Sequence, residues 1–381
     1  MFVKKLRLNN FRNYISLNID LFPGKNVLLG DNGQGKTNII EGIYLCCTGK
    51  SYRTSRDMDL IRWGEPAFYT ASKFIRENGE ILVEVACSLE KGKRIRINGI
   101  HQDSGLEFIG AANAVVFNPD DLRIVKGGPS GRRRFLDFEI SSVHQRYRRY
   151  LVDYRRILMQ RNAFLKESRH LMGSAKGKAA LDVWDEQLVT VGTRIMIKRA
   201  KVINTLSNLA QIIYKKISPF STLELTYEPS VKIKPFFFNK EKESEIKEKW
   251  RNLFHKELLK GRQTEITRGV TLVGPHRDDM AFILDGIDMK SFGSQGQQRL
   301  AVLALRLAEL DFIKQEVGEN AILLLDDVSS ELDTSKKINL WEYIDEEIQT
   351  IITTTDEKTL GGLYNPERIL KITSGTVQEV K

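Results

Sequence analysis

The sequence predicts an α/β fold in two lobes, one built on a mixed sheet and the other largely helical. Three observations predict it. A short apolar run, Val27–Leu29, ends in a glycine-rich loop and leads into a helical pattern. Ala321–Leu325 is apolar at every position and ends in two aspartates. Between them lies a long stretch whose apolar residues recur at helical spacing. A run with no polar alternation suits a parallel strand covered on both faces, and recurrence at i, i+3, i+4 and i+7 suits helices with one buried face.

Taken in order, the first hundred residues read as strands and turns. MFVKKLRLNNFRNY alternates charged and apolar residues and has no apolar export core, so it reads as a strand. Ile39–Cys47 follows the glycine-rich loop as a helix. Ile81–Leu89 is a strand, and Arg94–Ile97 before Asn98-Gly99 marks a hairpin. Ala114–Phe117 is a buried strand stopped by Asn118-Pro119. From about Asp120 the pattern turns helical. Tyr147, Tyr150, Leu151, Tyr154 and Leu158 form one run, and Leu181 to Leu209 another, with a loop over Gly173–Lys178 between them. A charge-mixed helix covers Glu241–Lys260. Strands return at Thr271–Val273 and at Met280–Leu284, where Asp285-Gly286 turns the chain, and Gln297–Lys314 is the last long helix. The resulting division places 1–119 and 270–381 in a discontinuous first lobe and 120–269 in a helical insert.

Hydrophobic residues make up 41% of the 381 and charged residues 28%, the balance of an ordinary globular chain. No apolar stretch approaches the length of a membrane span. Cys46, Cys47 and Cys87 have no metal-ligand spacing and read as reduced thiols of a cytoplasmic protein. The net charge of +10 is concentrated. Between Gly131 and Lys201 stand 17 Lys or Arg against 7 Asp or Glu, an excess equal to that of the whole chain. A field of that sign suits a polyanionic partner.

Gly30-Asp31-Asn32-Gly33-Gln34-Gly35-Lys36-Thr37 matches the phosphate-binding loop G-x-x-x-x-G-K-[ST] at every position, between a strand and a helix as that motif requires. Its glycines let backbone N–H groups curl round a phosphate at the positive end of the helix. Lys36 can reach the β- and γ-phosphates of ATP, and the Thr37 hydroxyl can ligate Mg²⁺. The second half of the site comes 290 residues after Lys36. Asp326, at a strand tip, is the second candidate for holding Mg²⁺, and Asp327 is placed to orient or deprotonate the attacking water.

Three further segments resemble the ABC-type ATPase heads, the group that includes SMC proteins and Rad50. Gly293-Ser294-Gln295-Gly296-Gln297-Gln298-Arg299 resembles the ABC signature at a helix start, and Ser330-Glu331-Leu332-Asp333 resembles the D-loop. Asn10-Phe11-Arg12-Asn13-Tyr14 resembles the N-terminal turn that brings an Arg-Asn pair, here Arg12 and Asn13, towards the nucleotide. Within that group the chain resembles the RecF family over essentially its whole length. The segments that carry the resemblance are Gly49–Thr54, Val115–Leu122, Gly127–Pro129, Arg132–Asp137, Gly274–Asp279, Gly293–Arg299 and Asp326–Asp333. The insert is too short for the coiled-coil arm of SMC and Rad50 chains.

The resemblance implies an ATP-dependent DNA-binding protein of recombinational repair and replication. It implies ATP-driven homodimerisation in which Ser294 of each subunit caps the γ-phosphate held by the other, slow ATP hydrolysis, and help in loading the RecA recombinase at single-strand gaps with RecR and RecO. Candidate DNA contacts in the basic segment are Arg132, Arg133, Arg134, Arg148 and Arg149; Tyr147, Tyr150 and Tyr154, at helical spacing, are expected to face the core. His276-Arg277-Asp278-Asp279 is expected to be structural. Some positions depart from the broader ABC pattern. Asp327 stands where most such ATPases carry glutamate, Asn118 is the candidate in place of the Q-loop glutamine, and Thr353-Thr354-Thr355-Asp356 replaces the switch histidine. The alternative reading, the nucleotide-binding subunit of a membrane transporter, expects that histidine and lacks a reason for so basic an insert.

Overall fold

In a computed structural model of the chain, the residues described are 1–102, 111–167, 175–233, 242–327, 339, 341–344, 347–356 and 365–380. The D-loop candidate Ser330–Asp333 lies outside them. The chain divides into two compact units. Unit 1 comprises Met1–Leu122, Leu209–Thr222 and Arg299–Lys381; unit 2 comprises Arg123–Asn208 and Leu223–Gln298. Boundaries expected at 119 and 270 therefore fall at 122 and 298, and Leu209–Thr222 returns to unit 1.

Unit 1 carries two six-stranded sheets. The first is antiparallel in the order β2-β1-β4-β5-β6-β7, from β1 (Phe2–Phe11), β2 (Tyr14–Asp20), β4 (Ala67–Arg76), β5 (Gly79–Ser88), β6 (Gly92–Ile97) and β7 (Ile100–His101). Asn98 and Gly99 both take positive φ, 50° and 81°, and close the β6–β7 hairpin expected of an Asn-Gly pair. The second sheet runs β15-β14-β3-β13-β12-β8, from β3 (Lys25–Leu29), β8 (Ala114–Phe117), β12 (Ile322–Leu325), β13 (Thr350–Thr354), β14 (Arg368–Thr373) and β15 (Thr376–Glu379). Pairings β8–β12, β12–β13, β13–β3 and β3–β14 are parallel. All four residues of β12 are buried, as an apolar run predicts for an inner parallel strand, and so are all five of β13, three of them threonines. Helix α1 (Lys36–Thr48) packs its Ile39, Ile40 and Ile43 into the core with Leu6, Leu8, Phe11 and Phe74 of the antiparallel sheet. The three cysteines are buried and unbridged.

Unit 2 is mainly helical, with α2 (Pro129–Val143), α3 (Gln145–Glu167) and α5 (Glu243–Arg268), and with α4 (Ala175–Ile217) and α6 (Gln295–Val317) each shared in sequence with unit 1. It also holds a small sheet in the order β11-β10-β9, made of β9 (Leu223–Glu228), β10 (Asp279–Leu284) and β11 (Ile287–Asp288). Two sequence expectations are corrected here. Ala175–Lys178 belongs to α4 rather than to a loop, since one glycine at Gly177 costs a helix only about 1 kcal/mol. Thr271–Val273 is not a strand; the backbone N–H of Thr271 donates to the side chain of Asn162 at 2.8 Å instead of to a neighbouring strand.

Candidate functional site

The parallel sheet of unit 1 sets the site. β13 lies between β3 and β12, so the glycine-rich loop after β3 and the aspartates after β12 emerge at the same carboxyl edge, one strand apart. Open α/β sheets hold ligands at that edge. Gly35 is required at the loop's end: its φ is 112°, and a Cβ there would lie 2.6 Å from Nδ2 of Asn13 and 2.8 Å from the Tyr14 hydroxyl. The Lys36 ammonium arches back over the loop, donating to the carbonyls of Gly30 at 2.5 Å and Asp31 at 2.8 Å. Burial lowers its pKa, while the carboxylates of Asp327, Asp326 and Asp31 oppose the shift.

Asp326 is held by three hydroxyl donors. Its Oδ1 accepts from Thr37 Oγ1 at 2.8 Å and Thr353 Oγ1 at 3.0 Å, and its Oδ2 accepts from the Tyr52 hydroxyl at 3.0 Å. Burial pushes its carboxyl above the usual range, and these hydroxyl donors pull it back. Burial, together with the Asp326 charge, raises the Tyr52 phenol well above its ordinary value, which keeps it a donor. The exposed Asp327 takes left-handed backbone at φ 56°, a region that aspartate adopts more readily than most residues other than glycine, and its N–H donates to Thr353 Oγ1 at 2.9 Å. Thr353, where a switch histidine was expected in the wider group, therefore ties both aspartates to the tip of β13.

Beside the loop, Arg12 lies over α1, also in left-handed backbone at φ 53°. Its guanidinium forms a fork with Glu41, at 2.9 and 2.7 Å, and donates to the Asp59 carbonyl. Glu41 has no exposed surface and also accepts from Ser51 Oγ and Arg53. Arg53 donates further to Asn38 Oδ1 at 2.8 Å, and Asn38 Nδ2 donates to Asn13 Oδ1 at 2.8 Å. Asn13 Nδ2 closes the chain of bonds on the Gln34 carbonyl at 3.1 Å. Arg12 and Asn13 thus sit where sequence placed them, beside the loop. Glu41, Tyr52, Arg53 and Thr353 were not singled out as site residues, although Tyr52 and Arg53 lie in the segment Gly49–Thr54 and Thr353 in the segment replacing the histidine. Asn118 is used locally, capping a 3₁₀ turn with Asp121.

The donor set suits Mg²⁺. A threonine hydroxyl and a carboxylate oxygen lie 2.8 Å apart, both hard oxygen ligands, and Mg²⁺ typically takes only one or two protein groups beside phosphate oxygens and water.

Ser294 stands in unit 2 as the N-cap of α6. Its Oγ accepts from the Gln297 N–H at 3.3 Å, and Gln297 Oε1 accepts from the Ser294 N–H at 2.9 Å, a reciprocal capping box at an exposed helix start. The arginine candidates for DNA divide sharply. Arg132 is buried, forks onto Asp279 at 2.7 Å twice, and donates to the Gly127 carbonyl. Arg148 is buried as well, and Arg133 donates to the Asp278 carbonyl at 2.8 Å. Burial withdraws Arg132 and Arg148 from phosphate contact, while Arg134 and Arg149 are exposed. Tyr147 and Tyr154 face the core as expected, whereas Tyr150 is only half-buried.

The Gly274–Asp279 segment is a structural knot within unit 2. His276 meets the Tyr154 hydroxyl at 2.8 Å and the Thr271 carbonyl at 3.1 Å, and burial takes its pKa down to about 4. Asp278 accepts from Tyr227 and from the Ser230 N–H and lies near Arg199. Gly274 cannot be larger, since a Cβ would meet the Tyr154 hydroxyl at 2.5 Å. Among the described residues, no group of three or more His, Cys, Asp or Glu could hold a metal, and no helix is long and apolar enough to cross a membrane.

Residues 2–378 match the family of RecF/RecN/SMC N-terminal domains. The chain is 40% identical over 380 residues to the DNA replication and repair protein RecF of Symbiobacterium thermophilum, covering 99% of this chain and 98% of that protein. It is 42% identical over 370 residues to the protein of that description from Alkaliphilus oremlandii, covering 97% of each. Among solved structures it superposes on the recombination mediator protein RecF–ATP of the RecFOR pathway with a TM-score of 0.88 at 32% identity, covering 100% of this chain and 98% of that one. An Smc head domain from Pyrococcus furiosus shares the fold, with a TM-score of 0.58 at 17% identity, over 100% of this chain and 96% of that one.

Proposed function

We propose the following function for this chain, which belongs to the RecF family: it is an ATP-dependent DNA-binding protein of recombinational repair and replication that hydrolyses ATP slowly. Family membership over nearly the full length displaces the transporter-subunit alternative. The observation that carries the nucleotide chemistry is the junction of Thr37, Asp326, Thr353 and Tyr52 at one edge of the parallel sheet.

In this reading the backbone of Gly30–Gly35 (with Asp31, Asn32, Gly33 and Gln34 as its turn) wraps the phosphates, and Lys36 turns its ammonium from the loop carbonyls to the β- and γ-phosphates. Thr37 and Asp326 hold Mg²⁺, which neutralises phosphate charge when bound. Tyr52 and Thr353 keep the Asp326 carboxylate aimed and ionised. Asp327 orients the attacking water; as an aspartate it reaches one methylene less far than glutamate, consistent with slow turnover. Arg12 and Asn13, braced by Glu41 and Gln34, border the nucleotide on the other side. Ser294 and the start of α6 complete the γ-phosphate shell of a second copy, so ATP ties two subunits together and hydrolysis releases them. The dimer binds DNA, and with RecR and RecO it favours RecA loading at gaps in the bacterial cytoplasm.

The test is duplex binding followed by fluorescence anisotropy in Mg²⁺ and ATP. With Asp327→Asn, ATP should tighten binding at least tenfold over the nucleotide-free protein, and Lys36→Ala should abolish that gain. Binding of equal strength with and without ATP would contradict the coupling.

A further inference from the structure

Elsewhere in unit 2, three deeply buried guanidiniums have acids set against them: Arg132 has Asp279, Arg161 has Asp185 and Glu265, and Arg199 has Asp137. One cavity in the same unit is lined differently. It has a volume of about 560 Å³ and lies among the first turns of α3, the middle of α4 and the first turns of α5. Among the described residues, five cations line it, Arg146, Arg194, Lys198, Lys201 and Lys247, against one carboxylate, Glu243. That carboxylate accepts from Lys201 at 2.7 Å, so the lining keeps an excess of four positive charges. Cations brought from three helices onto one cleft focus a positive field there, which favours an anion entering it.

We infer that this cavity is a seat for the sugar-phosphate backbone of DNA, an inference that rests on the DNA-binding reading above. The spacing favours a chain of phosphates. Arg194, Lys198 and Lys201 stand at i, i+4 and i+7 on α4, a run of roughly 10 Å along the helix axis, about the axial rise of three phosphates on one strand. The Arg194 guanidinium lies 5.2 Å from the ring centre of the half-buried Tyr150, which holds it in place before any ligand arrives. Among the described residues the lining offers no Asn, Gln, Ser or Thr to read a base edge, so contact would be independent of sequence. Arg149, Arg155 and Arg156 are exposed on α3, the helix that also brings Arg146 to the cavity, which suits a long polyanion better than an isolated acidic side chain.

The experiment measures duplex affinity against salt for the full chain with Mg²⁺ and ATP, comparing wild type with the triple variant Arg146→Ala, Arg194→Ala, Lys247→Ala. A control triple variant removes three exposed cations of unit 1, Arg7→Ala, Lys91→Ala and Arg96→Ala. Each phosphate contact contributes about 0.9 to the slope of log K against log salt, so the cavity variant should lose about two to three units of slope and at least a hundredfold in affinity near 0.1 M salt. ATP binding and melting temperature should stay at wild-type values, the control should keep the wild-type slope, and Glu243→Gln should tighten binding several-fold. An unchanged slope in the cavity variant, or an equal loss in the control, overturns the assignment while leaving DNA binding itself intact. If the cavity variant keeps DNA but loses a poly-glutamate peptide that wild type binds, the cavity serves an acidic protein and the assignment is likewise overturned. Failure of wild type to bind duplex in any nucleotide state would instead remove the DNA reading on which it rests.

Discussion

Tyr52 and Thr353 hold Asp326 from opposite sides, and neither belongs to the phosphate loop or to the strand that carries the aspartates. A hydrogen bond to a charged group contributes about 1.5–3 kcal/mol net. Tyr52→Phe is therefore expected to weaken ATP binding about tenfold in Mg²⁺ and to leave it nearly unchanged in EDTA, as isothermal titration would record. Equal affinities in Mg²⁺ for both proteins would remove Tyr52 from the site. His276 makes a prediction of opposite character, about stability. Its pKa lies near 4 in the folded protein against 6.5 ordinarily, so between those values the unfolded chain binds a proton that the folded one does not. Stability should fall as pH drops through that window, by about 3 kcal/mol if His276 acted alone. Asp278, whose carboxyl burial raises, works the other way on acidification and is common to both proteins in the comparison. Melting at pH 7 and at pH 4.5 should show a smaller acid loss in His276→Gln than in wild type. Residues of this kind were poorly legible in sequence, because a lone tyrosine or threonine acquires a role only when the sheet sets it beside a distant aspartate. The loop itself was legible, since eight consecutive positions follow one physical requirement.

At the scale of elements, strands buried on both faces could be read directly: Ala114–Phe117 and Ile322–Leu325 are apolar throughout and pair in parallel with each other. β14 could not, because Arg-Ile-Leu-Lys-Ile-Thr alternates only loosely and draws its stability from pairing with β3. β9, Leu-Glu-Leu-Thr-Tyr-Glu, alternates strictly but is a short run between helical segments, and it pairs with β10. The helices of unit 2 were legible as amphipathic runs, but the polar pins between them were not. Arg161 of α3 is fully buried and donates to Asp185 of α4, to Glu265 of α5 and to Thr271, each at 2.7–2.8 Å. Removing it takes the buried Glu265 carboxylate's cation away, leaving it the Leu272 N–H, while Asp185 keeps Arg262; breaking a buried pair in this way typically costs about 3–5 kcal/mol. Arg161→Ala should therefore lower the urea midpoint markedly, whereas Arg149→Ala, exposed on the same helix, should shift stability by no more than about 0.5 kcal/mol. Equal effects would show that the buried network carries no special weight.

For the molecule as a whole, the sequence separates two kinds of information. The two half-sites meet in unit 1, where Thr37 and Asp326, 289 residues apart, are hydrogen-bonded, and their position at one sheet edge was legible because motif and strand context agreed. The basic excess of residues 131–201 was legible as a total, but not its distribution. Part of it is internal, in Arg132, Arg148, Arg161 and Arg199, and part faces solvent or the cationic cavity. Charge counting cannot tell a structural guanidinium from one offered to a partner; burial and the presence of an opposing carboxylate can. Ser294 is the remaining link, since its capping box explains a serine at that position without any second subunit. Sedimentation velocity of Asp327→Asn in Mg²⁺ and ATP, with and without the added Ser294→Arg, tests the central claim most directly. The account predicts a dimer with ATP and a monomer when Ser294→Arg is added, with ATP binding retained. A monomer at every practical concentration, or a dimer indifferent to Ser294→Arg, would contradict it.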